Sequence, residues 1–141
     1  MKRRGFTLVE LAVVVVIIGV LAAFAVPRFI ASVERSKAAE AFNYLSSVQA
    51  AQERYHARQG EYASLITGLD IKFTTPKYFT VGAIAAGTTA SLEDSWTCSL
   101  TRLGAAAGYG AYTVTFTEEG YDSDPVNSTI QAIPDINPMG T

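Results

Sequence analysis

The first sixty residues carry the clearest hydrophobic pattern of the chain. Residues 11–26 contain no polar side chain, and only Thr7 and Glu10 interrupt residues 6–26. At about 1.5 Å per residue, a helix of this length spans roughly 30 Å, the thickness of the hydrocarbon core of a bilayer. The pattern therefore predicts a membrane-spanning helix over residues 6–27.

Beyond Pro27 the pattern becomes amphipathic. Apolar residues recur three and four positions apart, on one helical face: Ile30, Val33, Ala38, Ala41, Phe42, Leu45, Val48, Ala51 and Tyr55. The polar residues assigned to the opposite face are Glu34, Arg35, Lys37, Glu40, Asn43, Gln49, Glu53 and Arg54. Gly60 is the predicted end of the helix. A helix over residues 6–59 would be about 80 Å long, so residues 28–59 are expected to leave the membrane.

Two poor helix formers, Gly19 and Pro27, lie within this predicted helix. Proline lacks the N–H that a helical hydrogen bond needs, and its ring clashes with the preceding turn. We therefore expect a kink or a loosened turn before Pro27.

Residues 60–141 have the pattern of a small head. Residues 60–77 are rich in turn formers and predict a connecting loop with a short helical piece. Two further loops are predicted at residues 82–91 and 104–110. Alternation of apolar and polar residues predicts three antiparallel strands with one buried face: residues 77–83, 95–102 and 112–118. A weaker fourth strand is predicted at 128–133. The predicted fold class is α+β, a long helical spine covered by an antiparallel sheet of three to four strands.

Charge and cysteine content narrow the class of protein. The 141 residues include 11 basic and 13 acidic side chains, for a net charge of −2, and three of the basic ones are Lys2, Arg3 and Arg4. The mildly acidic remainder argues against a broad basic surface for nucleic acid. The single cysteine, Cys98, excludes an intramolecular disulfide, and its position on an apolar strand face predicts a buried free thiol.

Candidate catalytic and metal-binding residues are sparse. The one histidine, His56, lies on a charged helical stretch, which is typical of a solvated residue. Asp122, Asp124 and Asp135 could offer oxygens to calcium, but their spacing matches no EF-hand loop. The stretch 104–110 lacks the Lys-Ser/Thr pair of a phosphate-binding loop. The sequence therefore predicts no enzyme, no cofactor and no metal site.

The N-terminus carries a specific motif. A basic leader is followed in fixed order by Gly5, Phe6, Thr7 and Glu10 and then by the apolar run, as KRRGFTLVEL. This order resembles the class III prepilin signal of type IV pilins and of the related pseudopilins of secretion systems, and the resemblance covers roughly residues 1–65. It implies that a prepilin peptidase cleaves after Gly5 and that the new N-terminal Phe6 is N-methylated.

The resemblance also implies a division of the chain. Residues 1–5 would be the leader, 6–27 the transmembrane and polymerisation half of the spine, 28–59 its amphipathic half and 60–141 the head. Basic residues before the apolar run predict that the leader stays cytoplasmic and the C-terminal part is exported. The alternative is an ordinary secretory signal, cleaved at the small residues of segment 22–25.

Glu10 is the notable residue of the apolar run. A carboxylate within hydrocarbon costs at least a few kcal/mol unless it is paired. The resemblance implies that Glu10 of one subunit meets the new amino group of Phe6 in a neighbour as helices stack into a fibre. Alternatively, Glu10 lies at the headgroup boundary or pairs with its own N-terminus.

Four functions remain open at this stage. The first is the major pilin of a type IV pilus, acting in adhesion, motility or DNA uptake, and the second is a pseudopilin forming the periplasmic piston of a type II secretion system. The third is a DNA-binding pilin, for which the exposed cations Lys72, Lys77 and Arg102 are few. The fourth is a membrane-tethered enzyme, which lacks a catalytic constellation.

The resemblance implies a set of partners and locations. The partners are copies of the chain itself, the prepilin peptidase, an inner-membrane assembly platform, minor pilins, and membrane lipid before assembly; nucleic acid is unsupported. The locations are the inner membrane, with the C-terminus exported, and then an extracellular pilus.

Overall fold

One long helix dominates the computed structural model, which describes residues 5–72, 74–104 and 108–140. Helix α1 spans Leu8–Gln59, 52 residues, or about 78 Å at the usual rise. Gly60 ends it in the left-handed conformation, with φ of 80°, and donates its N–H to the carbonyl of His56. The predicted end of the helix is confirmed. The helix is continuous through Gly19 and Pro27, and the kink or loosened turn expected before Pro27 stays a prediction.

The second half of α1 buries the predicted face. Its fully buried apolar residues follow helical spacing: Ala38, Ala41, Leu45, Val48 and Ala51. At the N-terminal end of this face, Ile30 is half-buried and Val33 is exposed. One assignment to the polar face is wrong, since Glu34 is 2% exposed.

The head is an antiparallel sheet laid against α1. Its strands are β1 (Phe79–Val81), β2 (Ala85–Ala86), β3 (Trp96–Arg102), β4 (Thr113–Thr117) and β5 (Gly120–Tyr121). The path runs β1-β3-β4-β5, and β2 also pairs with β3. The predicted α+β fold is confirmed, with five strands in place of three to four. The two additional strands are only two residues long, and β2 lies in the predicted loop 82–91.

Strands β3 and β4 bury the faces that alternation predicted. Leu100 lies opposite Val114 in the register, and both are fully buried. Towards the other end of the strands, Phe116 meets Phe42 of α1 edge-on with ring centroids 5.9 Å apart. The sheet therefore packs its apolar face on the amphipathic half of the helix.

The predicted fourth strand at 128–133 is wrong. The segment forms a 3-10 helix over Thr129–Ala132. The hydroxyls of Ser128 and Thr129 accept hydrogen bonds from the backbone N–H groups of Thr115 and Thr113, at 2.9 and 2.8 Å. Side chains thus satisfy the N–H groups of Thr113 and Thr115 in place of a backbone ladder between β4 and segment 128–133.

The loop after α1 is held to the helix by one buried amide. The predicted short helical piece is confirmed as a 3-10 turn at Ile66–Gly68. Gln52, fully buried, donates to the carbonyl of Ala63 at 3.0 Å and accepts from its N–H at 2.8 Å. This paired contact fixes the start of the loop against the last turns of α1.

Candidate assembly site

The first part of α1 is an apolar rod without cover. Every described side chain from residue 5 to residue 29 is exposed. Within the described residues, α1 is the one helix long and apolar enough to cross a membrane, judged by length and composition. So large an exposed apolar surface is unstable in water and marks a membrane or protein interaction site. We call residues 8–29 the apolar rod.

The rod begins at a capping box made by Thr7 and Glu10. The Glu10 carboxylate accepts from the Thr7 N–H at 2.8 Å and from its hydroxyl at 2.7 Å, while the Thr7 hydroxyl accepts from the Glu10 N–H at 3.3 Å. This reciprocal pair satisfies two of the N–H groups that a helix start leaves unpaired. In the isolated chain, the carboxylate is therefore occupied by its own helix start.

The predicted processing site lies just before the helix. Gly5 and Phe6 are in non-helical, exposed chain, and the Phe6 side chain is 81% exposed. Lys2, Arg3 and Arg4 lie outside the described residues. The bond after Gly5 is thus accessible, while cleavage and methylation stay predictions.

A buried ionic network joins α1 to the sheet at the end of the head nearest the apolar rod. The Glu34 carboxylate accepts from Arg102 Nη2 at 3.2 Å, from the Tyr112 hydroxyl at 2.9 Å and from Lys37 Nζ at 3.3 Å. Arg102 is 7% exposed, so its assignment as an exposed cation is wrong. Its Nη1 also donates to the carbonyls of Tyr78 and Leu103.

Sequence reasoning missed this network, although one sign of it was present. Glu34 lies four residues after Ile30 and four before Ala38, within the stripe that faces the sheet. Burial alone would raise the pKa of Glu34, but the hydrogen bonds from Arg102 and Tyr112 outweigh it and lower the pKa below its ordinary value. The carboxylate is therefore ionised at neutral pH.

The other candidate residues have local structural roles. His56 is half-buried rather than solvated, with its ring stacked on Tyr62 at 4.3 Å and Nε2 3.0 Å from the carbonyl of Glu93. The carboxylates of Asp122 and Asp124 accept from backbone N–H groups two residues further on. No group of three His, Cys, Asp or Glu side chains among the described residues is arranged to hold a metal ion. Part of the stretch 104–110, residues 105–107, lies outside the described residues.

The Cys98 thiol is expected to resist alkylation in the folded protein. It is 1% exposed, and burial raises its pKa to about 11. Since the thiolate is the nucleophile, reaction with iodoacetamide near pH 8 should be at least about 100-fold slower than in denaturant. Thr101→Cys in a Cys98→Ala background places a thiol at an exposed position of β3 and serves as the reactive control. Equal rates for the two thiols would contradict the buried assignment.

Comparisons with known proteins agree with this geometry. A family model described as a prokaryotic N-terminal methylation motif matches residues 1–26. The chain is 35% identical over 99 residues to the type IV narrow pilus major component PilA5 of Thermus thermophilus. The aligned segment covers 70% of this chain and 79% of that protein. No solved structure matches.

Two further relatives share mainly the N-terminal half. The chain is 45% identical over 62 residues to the type IV major pilin protein PilA of Myxococcus xanthus, covering 44% of this chain and 28% of that protein. It is 36% identical over 75 residues to the type II secretion system core protein G of Pectobacterium carotovorum, covering 53% and 48%. The chain spans less than half the length of these two relatives. With the match to PilA5 extending over most of both proteins, the chain belongs to the family of type IV pilins and pseudopilins.

Proposed function

We propose that this chain is the major subunit of a type IV pilus and polymerises through its apolar rod. The observation that carries the proposal is the exposed apolar surface of residues 8–29, on a helix whose second half packs one face against a compact head. In the membrane, lipid covers this surface; in a fibre, the rods of neighbouring copies cover it. The similarity to a major pilus component over 70% of the chain supports the same function.

The proposed life cycle has a membrane stage and a fibre stage. A prepilin peptidase removes residues 1–5, Phe6 becomes the N-methylated terminus, and the rod spans the inner membrane with the head exported. An inner-membrane platform and minor pilins then assist assembly into an extracellular fibre for adhesion, motility or DNA uptake. The function is structural, without catalysis.

A pseudopilin of a type II secretion system is the second candidate. The observation that favours it is the 36% identity to core protein G, which extends over 53% of the chain. The two candidates share fold and processing and differ in where the polymer accumulates.

The test is mass spectrometry of material sheared from intact cells, compared with the cell envelope. For a major pilin, we expect abundant sheared protein whose N-terminal peptide begins at methylated Phe6. Recovery of the processed protein only from the envelope would assign the pseudopilin function. An exported form beginning beyond Val26 would overturn both candidates, because the rod would have been removed.

Blocking the cleavage site provides the matched control. A Gly5→Val variant adds a branched side chain at an exposed position before α1, where no heavy atom of the described structure lies within 4 Å of an added Cβ. The fold should therefore be unaffected, while residues 1–5 are retained and sheared protein disappears. Normal fibres from uncleaved Gly5→Val protein would contradict the proposed processing.

A further inference from the structure

Cations gather where the apolar rod joins the head. Four of them, which we call the basal cations, are Arg28, Arg35, Lys37 and Lys77. Lys77 is distant in sequence, but its backbone N–H donates to the Glu40 carboxylate at 3.1 Å, which fixes its level along α1. The chain as a whole has a net charge of −2, so this is a local excess of positive charge.

The carboxylates at this level are already engaged. Glu34 is buried with Arg102 and Lys37, and Glu40 accepts the N–H of Lys77. Among the residues that the structure describes, no ion pair involves Arg28, Arg35 or Lys77, and all three are exposed. Their charge is therefore available to an external anion.

The basal cations lie on more than one side of the helix. Arg28 and Arg35 are seven residues apart and share a side of the helix. Lys37 follows Arg28 by nine residues, which at about 100° per residue places it on the opposite side. Lys77 lies on the side of Lys37, where the ring of Tyr78 is 5.1 Å from Lys37 Nζ and 5.6 Å from Lys77 Nζ. A docked protein or a duplex would contact one side, but a membrane surface surrounds the helix.

The position along the helix also matches a membrane surface. Residues 28–37 begin directly after the predicted span and cover about 14 Å of helix. The headgroup layer of one leaflet is about 5–8 Å thick, and electrostatic attraction extends a further 8–10 Å or so at physiological ionic strength. Arg28, Arg35 and Lys37 are therefore in or within reach of the phosphate layer, and Lys77, at the level of Glu40 about 20 Å beyond Pro27, lies at the outer limit of that reach.

Their presence at this end of the span needs a specific reason. Basic residues bias a segment towards the cytoplasmic side, and Arg28, Arg35 and Lys37 equal in number the three leader cations Lys2, Arg3 and Arg4. Cations here weaken this bias and so act against export of the head, a cost that an interaction on the exported side would offset. We propose that the basal cations bind the phosphate groups of anionic phospholipids in the exported leaflet, and so hold the head at the membrane before assembly. This inference rests on the membrane stage of the proposed function.

The test measures lipid enrichment around the full-length chain. The chain is reconstituted in phosphatidylcholine vesicles containing phosphatidylglycerol as a minor component, extracted with a polymer into lipid discs, and the co-purifying lipids are quantified. We expect phosphatidylglycerol to be enriched at least about twofold over the bulk vesicle, and the enrichment to vanish at about 1 M salt.

Two matched variants locate the binding surface. Arg35→Gln with Lys77→Gln removes two unpaired basal cations and leaves Lys37 in its pair with Glu34, so the enrichment should fall to near the bulk value. Arg58→Gln with Lys72→Gln removes two exposed cations that lie further from the apolar rod, Arg58 in the last turn of α1 and Lys72 beside Ser46 and Ser47, and the enrichment should be retained. The far-UV spectrum of each variant confirms that α1 is intact.

Three results would overturn the inference. The first is wild-type discs no richer in phosphatidylglycerol than the bulk vesicle, and the second is an equal loss of enrichment in both double variants. In the third result, Arg35→Gln with Lys77→Gln keeps its lipid enrichment but loses salt-dependent binding of duplex DNA, which would assign the surface to nucleic acid. Protease protection of the reconstituted chain separates these outcomes from failure of the proposed function. A chain that inserts without lipid enrichment refutes only the lipid contact. A chain that does not insert refutes the membrane stage as well.

Discussion

Replacing Glu34 by alanine is expected to lower the free energy of unfolding of the head by about 3 kcal/mol, the usual cost of removing one partner from a buried ion pair. The substitution leaves the guanidinium of Arg102, a residue that is only 7% exposed, without its carboxylate, and the Tyr112 hydroxyl without its acceptor. The loss extends beyond packing, because an unpaired buried charge retains its desolvation cost. The three side chains come from α1, from β3 and from the residue directly before β4, so the change weakens the joint between helix and sheet.

Denaturant unfolding of the full-length chain in detergent, followed by tryptophan fluorescence, measures this change. Trp96, the only tryptophan, is fully buried in the head and reports its unfolding. The matched control is Asp70→Ala, which breaks the exposed pair between Arg54 and Asp70 at 2.7 Å. Exposed pairs contribute at most about 1 kcal/mol. Equal effects of Glu34→Ala and Asp70→Ala would show that the buried network does not stabilise the head.

Acid unfolding gives a second test of the same network. The folded-state pKa of Glu34 lies below its ordinary value of 4.5, because hydrogen bonds from Arg102 and Tyr112 outweigh its burial. Stability from this group is therefore fully present above pH 4.5 and is lost as the pH falls through the lower, folded value. Glu34→Gln has no such titration and should lose less stability between pH 5 and pH 3 than the wild type. Identical pH profiles would contradict the assignment.

The long elements of this fold could be predicted from the sequence because each has a strong period. A 52-residue helix with a clear apolar face and a terminal Gly60 is unambiguous, and β3 and β4 alternate over five residues or more. Strands β2 and β5 are too short for alternation to be visible. The segment 128–133 has strand-like residues, but Ser128 and Thr129 satisfy the edge of β4 through their hydroxyls.

The residues of the candidate site also differ in whether neighbouring residues in the sequence are enough to predict them. Gly5, Phe6, Thr7 and Glu10 form a local motif within the matched residues 1–26, so the sequence alone is enough to predict their roles. The contact between Glu34 and Arg102 joins residues 68 positions apart, and no local pattern specifies which strand end an acidic helix residue will meet. The helical spacing of Glu34 places it among buried positions, but it gives no information about its partner.

Replacing Glu10 by alanine or by glutamine is expected to abolish fibre formation, with sheared protein reduced at least about 100-fold. If Glu10 pairs with the new amino group of Phe6 in a neighbour, loss of the carboxylate leaves a buried ammonium unpaired at every contact. An unpaired partner costs about 3–5 kcal/mol, and about 3 kcal/mol already corresponds to more than a hundredfold in an association constant. The measurement is the ratio of sheared to cell-associated protein by immunoblot.

The capping box makes it possible to separate the charge of Glu10 from its role at its own helix start. Glutamine keeps a side-chain oxygen that can accept from the Thr7 N–H, so Glu10→Gln retains the box and loses only the charge. Thr7→Ala does the reverse: it removes the hydroxyl that accepts from the Glu10 N–H at 3.3 Å, at a cost of about 1 kcal/mol to the helix start, and keeps the carboxylate. If the charge acts between subunits, Thr7→Ala assembles and Glu10→Gln does not. If only the capping box is needed for assembly, Glu10→Gln assembles and Thr7→Ala does not. The carboxylate then caps its own helix and does not link copies of the chain.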